Sequence, residues 1–111
     1  MKTISKIAFT LLLALSFNQS ASAQEAEFLV QIKDHKFNPE IVKVPAGKKF
    51  KLIVENLDST VEEFESHDLK KEKIIAGGKK ATIIINPLKA GEYKFVGEFH
   101  EKTAQGKIIA E

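Results

Sequence analysis

Cysteine is missing from all 111 residues, and the single methionine is the initiator Met1. Without a thiolate the chain cannot build a blue-copper centre, so any metal it holds is held by oxygen and nitrogen donors. No disulfide can assist folding, even in an oxidising compartment. Arginine is missing too, which removes the side chain that grips phosphate with a planar fork. Lys2 and Lys6 belong to the 17 basic residues, and setting them aside leaves as many lysines as the 15 acidic residues. The remaining domain therefore has no basic footprint for nucleic acid. A membrane-length apolar run is also lacking. The run from Ile7 to Phe17 is shorter than the roughly 20 residues a spanning helix needs.

That short run has a different reading. Lys2 and Lys6 precede it, and Ala21-Ser22-Ala23 follows it as an A-x-A cleavage site, so residues 1–23 read as a secretory signal peptide. No cysteine follows the site to carry a lipid anchor. The expected mature chain starts near Gln24, does not insert in a membrane, and is periplasmic. Residues 24–111 form one small domain. A domain of this size buries about 60–65% of its unfolded surface, which is adequate without staples.

Within the domain the apolar residues alternate with period two. Phe28, Val30 and Ile32 interleave with Leu29, Gln31 and Lys33, and Phe50, Leu52 and Val54 interleave with Lys51, Ile53 and Glu55. Val42 and Val44 flank Lys43, Tyr93 and Phe95 flank Lys94, and Ala81 to Ile85 is a continuous run rich in β-branched residues. Turn residues punctuate these runs at Pro45-Ala46-Gly47, Asn56-Leu57-Asp58, Ala76-Gly77-Gly78 and Ala90-Gly91. The pattern predicts strands near 27–34, 40–45, 48–56, 61–66, 80–86, 91–97 and 105–110, with one or two helical turns over Ser66 to Lys73. Strands so punctuated specify an all-β fold, an antiparallel Greek-key β-sandwich.

Four fragments carry a family resemblance. They are Phe37-Asn38-Pro39 followed by Ile41, Val42 and Val44-Pro45-Ala46-Gly47; Val54-Glu55-Asn56-Leu57-Asp58; Pro87-Leu88 to Gly91-Glu92-Tyr93-Lys94-Phe95; and Val96-Gly97-Glu98-Phe99-His100. In this order and spacing the chain resembles the cupredoxins over nearly the whole mature domain. The resemblance implies a metal loop in which His100 keeps the histidine position, Gly97 stands where the cysteine belongs, and Thr103 and Ala104 occupy the methionine region. Counting back from Phe64, Glu62 falls where the family's first histidine ligand belongs. The Glu63-Phe64-Glu65 signature, with Asp68-Leu69 and Glu72-Lys73, is similar to the EfeO-type cupredoxins, here in free-standing form. That likeness implies a periplasmic protein handling iron, with or without copper, on behalf of periplasmic or inner-membrane transport components.

If the sandwich is right, its topology brings His35, Glu62 or Glu63, Glu98 and His100 to one end as candidate metal ligands. Two imidazoles with carboxylates suit iron, copper(II) or zinc. Glu62 and Glu63 precede the apolar Phe64, so one faces in and the other out. A buried carboxylate without a cation or hydrogen bonds would cost several kcal/mol. Each residue also has a plain reading, as a histidine flanking a strand or a solvated loop carboxylate. Glu65 and His67 read as an exposed strand face, and Phe99 as a core cap or a contact patch. The functional expectation is a metal-binding protein that assists iron acquisition, using an iron or copper ion, with a ferroxidase-like accessory activity. The alternatives are a copper(II) carrier without redox role and a metal-free structural partner of a transport system.

Overall fold

The structure, a computed structural model, describes residues 25–111. The expected signal peptide at 1–23 lies outside them. Nine strands and one short 3-10 helix follow in order: β1 (Ala26–Lys33), β2 (Lys36–Asn38), β3 (Ile41–Val44), β4 (Phe50–Asn56), β5 (Glu62–Ser66), β6 (Lys71–Ile75), β7 (Lys80–Ile85), β8 (Gly91–Gly97), η1 (Glu98–His100) and β9 (Gln105–Ala110). No helix among the described residues is long and apolar enough to cross a membrane.

The strands form two sheets, β2-β1-β4-β7 and β3-β9-β8-β5-β6, and the chain switches sheet repeatedly, giving the expected sandwich. The sheets are mixed. β1 pairs parallel with β4, and β3 parallel with β9, while the other pairings are antiparallel. Parallel neighbours need a crossover, and the crossover from β1 to β4 runs through β3 in the opposite sheet.

Side-chain alternation builds the core. In β4, Phe50, Leu52, Val54 and Asn56 are buried and the residues between them half-buried; in β5, Glu62, Phe64 and Ser66 are buried. Two expectations need correction. The helical turns over Ser66 to Lys73 are a turn followed by β6, whose only buried residue is Ile75. A further short strand, β2, buries Phe37.

Phe37, Phe64 and Phe95 form an aromatic cluster within the core. Phe37 meets Phe95 edge-on at 4.9 Å, and Phe64 lies 5.1 Å from Phe95. Such rings contribute about 3–5 kcal/mol each, judged by truncation to alanine. Glu62 lies two residues before Phe64 on the same buried face of β5, and Gly97 two residues after Phe95 on the same buried face of β8.

Candidate functional site

His35 occupies the tight turn between β1 and β2. Asp34 and His35 both take the left-handed backbone region, at φ 52° and 59°. That region is unfavourable for residues with a Cβ, though Asp and His enter it more readily than most. The turn is held by Asp58, whose Oδ1 accepts the Asp34 N–H at 2.8 Å and whose Oδ2 accepts the His35 N–H at 3.0 Å. Asp58 is itself placed by Asn56, whose Oδ1 accepts the Asp58 N–H at 3.0 Å. The fully buried Asn56 donates from Nδ2 to the Thr60 carbonyl at 2.8 Å and the Ile75 carbonyl at 3.1 Å. Burial pushes the Asp58 carboxyl up, but the N–H bonds from His35 and Asp34 and the nearby imidazoles outweigh it, so the group titrates below its ordinary value.

His100 approaches from the other sheet, at the end of η1. Its carbonyl accepts the Ala104 N–H at 2.8 Å and the Thr103 N–H at 3.2 Å, and Gly97 N–H closes the loop on the Ala104 carbonyl at 2.9 Å. The side chain of Glu62, only 1% exposed, reaches into this loop. Its Oε1 accepts the Phe99 N–H at 2.9 Å and the Glu63 N–H at 3.0 Å, and its Oε2 meets His100 Nδ1 at 2.6 Å. The buried carboxylate is thus satisfied through both oxygens, as a charge in that position must be.

The two histidines, 65 positions apart in sequence numbering, are stacked with centroids 3.5 Å apart and planes 12° from parallel. His35 Nε2 has one long contact, to Thr60 Oγ1 at 3.4 Å. The structure therefore brings together His35, Glu62 and His100. As they stand they do not chelate. Imidazole lone pairs lie in the ring planes, so parallel rings this far apart cannot both aim at one ion at a bond length of about 2.0–2.1 Å. Consistent with that, no group of three or more His, Cys, Asp or Glu among the described residues is arranged to hold a metal ion.

Glu63 and Glu98 lie elsewhere. Glu63 points to the outer face of the second sheet, opposite Ile74, and Glu65 is directly opposite Glu72. Glu98 is exposed and lies near Glu65, while Glu63 lies near Glu72. Partial burial and the neighbouring Glu72 and Glu98 carboxylates push the Glu63 carboxyl up. The hydrogen bond to Glu65 does the same to Glu98, followed by desolvation and the Glu65 charge. His67 is almost fully exposed beside Glu65. The same end of the molecule exposes Leu57, Val61 and Phe99, so Phe99 is no core cap.

Comparison with known proteins places this geometry. A family model described as a cupredoxin-like domain matches residues 6–110. The chain belongs to the cupredoxin-like domain family. An uncharacterised protein of Rickettsia prowazekii is 54% identical over 83 residues, which are 75% of this chain and 66% of that protein. Among solved structures, auracyanin A, a blue copper protein of Chloroflexus aurantiacus, aligns with TM-score 0.67 at 11% identity, over 79% of this chain and all of its own. Amicyanin of Paracoccus versutus aligns with TM-score 0.59 at 17% identity, over 83% and 86% of the two chains. At such identities the likeness is one of fold.

This cupredoxin-like domain departs from a thiolate copper centre in a specific way. A Cβ on Gly97 would lie 2.8 Å from both the Glu62 carboxyl carbon and Oε2, and 2.7 Å from the Ala104 Cβ. The anionic group beside His100 is a carboxylate, occupying room that a side chain at position 97 would need. The blue-copper donor set of two histidines and a cysteine does not fit these residues. What they offer instead is two imidazoles beside one carboxylate, nitrogen and oxygen donors without sulfur. Asp58 and Asn56, which position His35, stood out in the sequence as a turn signal and as part of the Val54–Asp58 fragment, not as supports of a histidine.

Proposed function

We propose that this cupredoxin-like protein binds copper(II) or iron through His35 and His100, with the Glu62 carboxylate supplying negative charge beside them. On this reading it works in the periplasm and assists iron acquisition. The observation that carries the proposal is the convergence of His35, Glu62 and His100 at one end of the sandwich. The three come from a turn, a strand and a loop far apart in the chain.

The chain's own part in binding follows from how each ring is held. His100 is fixed by Glu62 and by its loop. His35 is pinned through its backbone while its ring makes one long polar contact, so it is the ring that turns to admit an ion. A bound copper or iron ion would supply one-electron redox chemistry. Divalent affinity at such a site rises from iron to copper, and the absence of sulfur favours the higher oxidation states of both.

The test is titration of the purified metal-free protein with copper(II), zinc(II) and, under nitrogen, iron(II), followed by admission of air to the iron sample. Stoichiometric binding that is lost in the His35→Ala, His100→Ala double variant is expected. Copper binding without accelerated iron oxidation would assign a copper(II) carrier instead. A second reading is favoured by the closed hydrogen bonding of Glu62, which needs no ion: a metal-free structural domain partnering a transport system. Binding no tighter than that of the double variant would establish it.

A further inference from the structure

We propose that the outer face of the five-stranded sheet is a docking surface for a second copy of this chain. The inference goes beyond the metal-binding reading and does not depend on it. It starts from how charges are set across the two sheets. On the outer face of the first sheet, directly opposed charges differ in sign: Glu27 faces Lys51 across β1 and β4, and Glu55 faces Lys80 across β4 and β7. On the outer face of the second sheet they are alike. Glu65 faces Glu72 across β5 and β6, and Lys94 faces Lys107 across β8 and β9. Opposite-sign pairs stabilise a sheet and like-sign pairs destabilise it, so the second face is arranged against the isolated domain.

The two like-sign pairs belong to a divided surface. Val42 and Val44 of β3, Phe95 and Gly97 of β8, and Ile108 and Ala110 of β9 are buried, so Lys43, Lys94 and Lys107 point outwards. Glu63, Glu65 and Glu72 point outwards from β5 and β6. The acids thus hold the β5–β6 half and the lysines the β3–β9–β8 half. Lys107 is paired with Glu92 at 3.1 Å, whereas Lys43 and Lys94 have no ion-pair partner among the described residues.

β8 is the central strand of this sheet. A two-fold axis along it, between two copies packed face to face, exchanges β5 with β9 and β6 with β3. Each acidic half then lies over the lysine half of the other copy, and one patch serves both, as a two-fold interface requires. A partner of single charge sign would satisfy only half of the face. Apolar surface accompanies the charge: Ile74 and Ile41, 61% and 50% exposed, stand on the two edge strands that the rotation lays across each other. Five strands about 4.8 Å apart and about six residues long present roughly 400–500 Å² per copy. A stable dimer needs about 800 Å² per partner, so the association is weak and transient.

Sedimentation equilibrium of the purified protein, with chelator present and at concentrations up to about 1 mM, tests the proposal. In about 0.01 M salt, where the screening length is about 30 Å, the mean mass should rise with concentration towards that of a dimer. In about 1 M salt, where that length is about 3 Å, it should return to the monomer. The Lys94→Glu, Lys107→Glu double variant and the Glu65→Lys, Glu72→Lys double variant should each stay monomeric, with thermal melts to verify folding. Their equimolar mixture should associate more tightly than the wild type, because the opposed charges then differ in sign throughout. Amide NMR shifts of the wild type on dilution, which need no variant, should fall on the five-stranded sheet. A wild type that stays monomeric in low salt would overturn the proposal, as would association indifferent to salt. Association retained by both variants, or dilution shifts on the first sheet, would overturn it by moving the contact to another face.

Discussion

The Glu62 carboxylate and the missing side chain of Gly97 occupy the same space. A Cβ on residue 97 would stand 2.8 Å from Glu62 Oε2, closer than such atoms approach. The two positions come from neighbouring strands, β5 and β8, that pair where Phe64 faces Gly97. The relationship is therefore set by sheet register and not by loop flexibility, and it shows how this sandwich makes room for a buried carboxylate beside His100.

From this it follows that Gly97→Ala destabilises the wild type by about 1–3 kcal/mol through overpacking. In a Glu62→Ala background the same change should cost much less, with a remainder from Ala104. Urea unfolding of the four proteins in the cycle measures the coupling, and contacting residues should depart from additivity by more than about 0.5 kcal/mol. Strict additivity would mean that the carboxylate and residue 97 do not compete.

Asp58 links stability to the placement of His35. Asp58→Asn removes one of the two acceptors for the Asp34 and His35 N–H groups and should cost about 1–2 kcal/mol at neutral pH. The sign with pH is defined. The carboxyl titrates below its ordinary value of 3.8 in the fold, so its contribution is present above that value and is lost as pH falls beneath it. The gap between wild type and variant should therefore shrink on acidification to about pH 3, in contrast to a cost that comes from shape alone. A gap independent of pH would show that the charge on Asp58 plays no part.

The outer face of the second sheet runs the other way. Glu63 and Glu98 titrate above 4.5, Glu63 through desolvation and then Glu72, Glu98 through its hydrogen bond to Glu65. Groups raised in this way bind protons more tightly when folded, so stability falls as pH rises from 4.5 through their folded values. Glu72→Gln removes one of two like charges placed directly across the β5–β6 pair. It should stabilise the protein at pH 7 by roughly 0.2–1 kcal/mol, and the gain should fade below pH 4.5. Thermal melts at the two pH values check it, and a gain that persists in acid would exclude charge repulsion as its source.

How much of this was legible beforehand depended on periodicity. The alternation of Phe50, Leu52 and Val54 identifies β4 without ambiguity because one face of it is wholly buried. Alternation before Phe64 turns one of Glu62 and Glu63 inward, and the sheet buries Glu62, on the same face as Phe64. β6 escaped because an edge strand with one buried residue, Ile75, and charges at Lys71, Glu72 and Lys73 carries no apolar rhythm, charge being how exposed edges avoid unwanted pairing. Glu98 was expected among the ligands but lies beside Glu65, because η1 breaks the two-residue period just where the chain leaves β8. The support of His35 by Asp58 and Asn56 is a hydrogen-bond relay between turns, and no spacing rule encodes it.

Metal binding should reveal itself in stability without any assay of redox turnover. A ligand that binds only the folded state adds RT ln(1 + [L]/Kd), about 2.7 kcal/mol at a hundredfold excess over Kd. For a domain of this size each kcal/mol raises the melting temperature by about 4–8 °C. Copper(II) should therefore raise the midpoint most, zinc(II) less and anaerobic iron(II) least, in the order expected of nitrogen and oxygen donors. The His35→Ala, His100→Ala protein should show no increase with any of them. His35→Ala alone should lose most of the effect while changing metal-free stability only by the loss of its stacking on His100 and one long polar contact, about 0.5–1.5 kcal/mol, because the turn is held through its backbone. An undiminished rise in that single variant would remove His35 from the site and leave His100 to act with other groups.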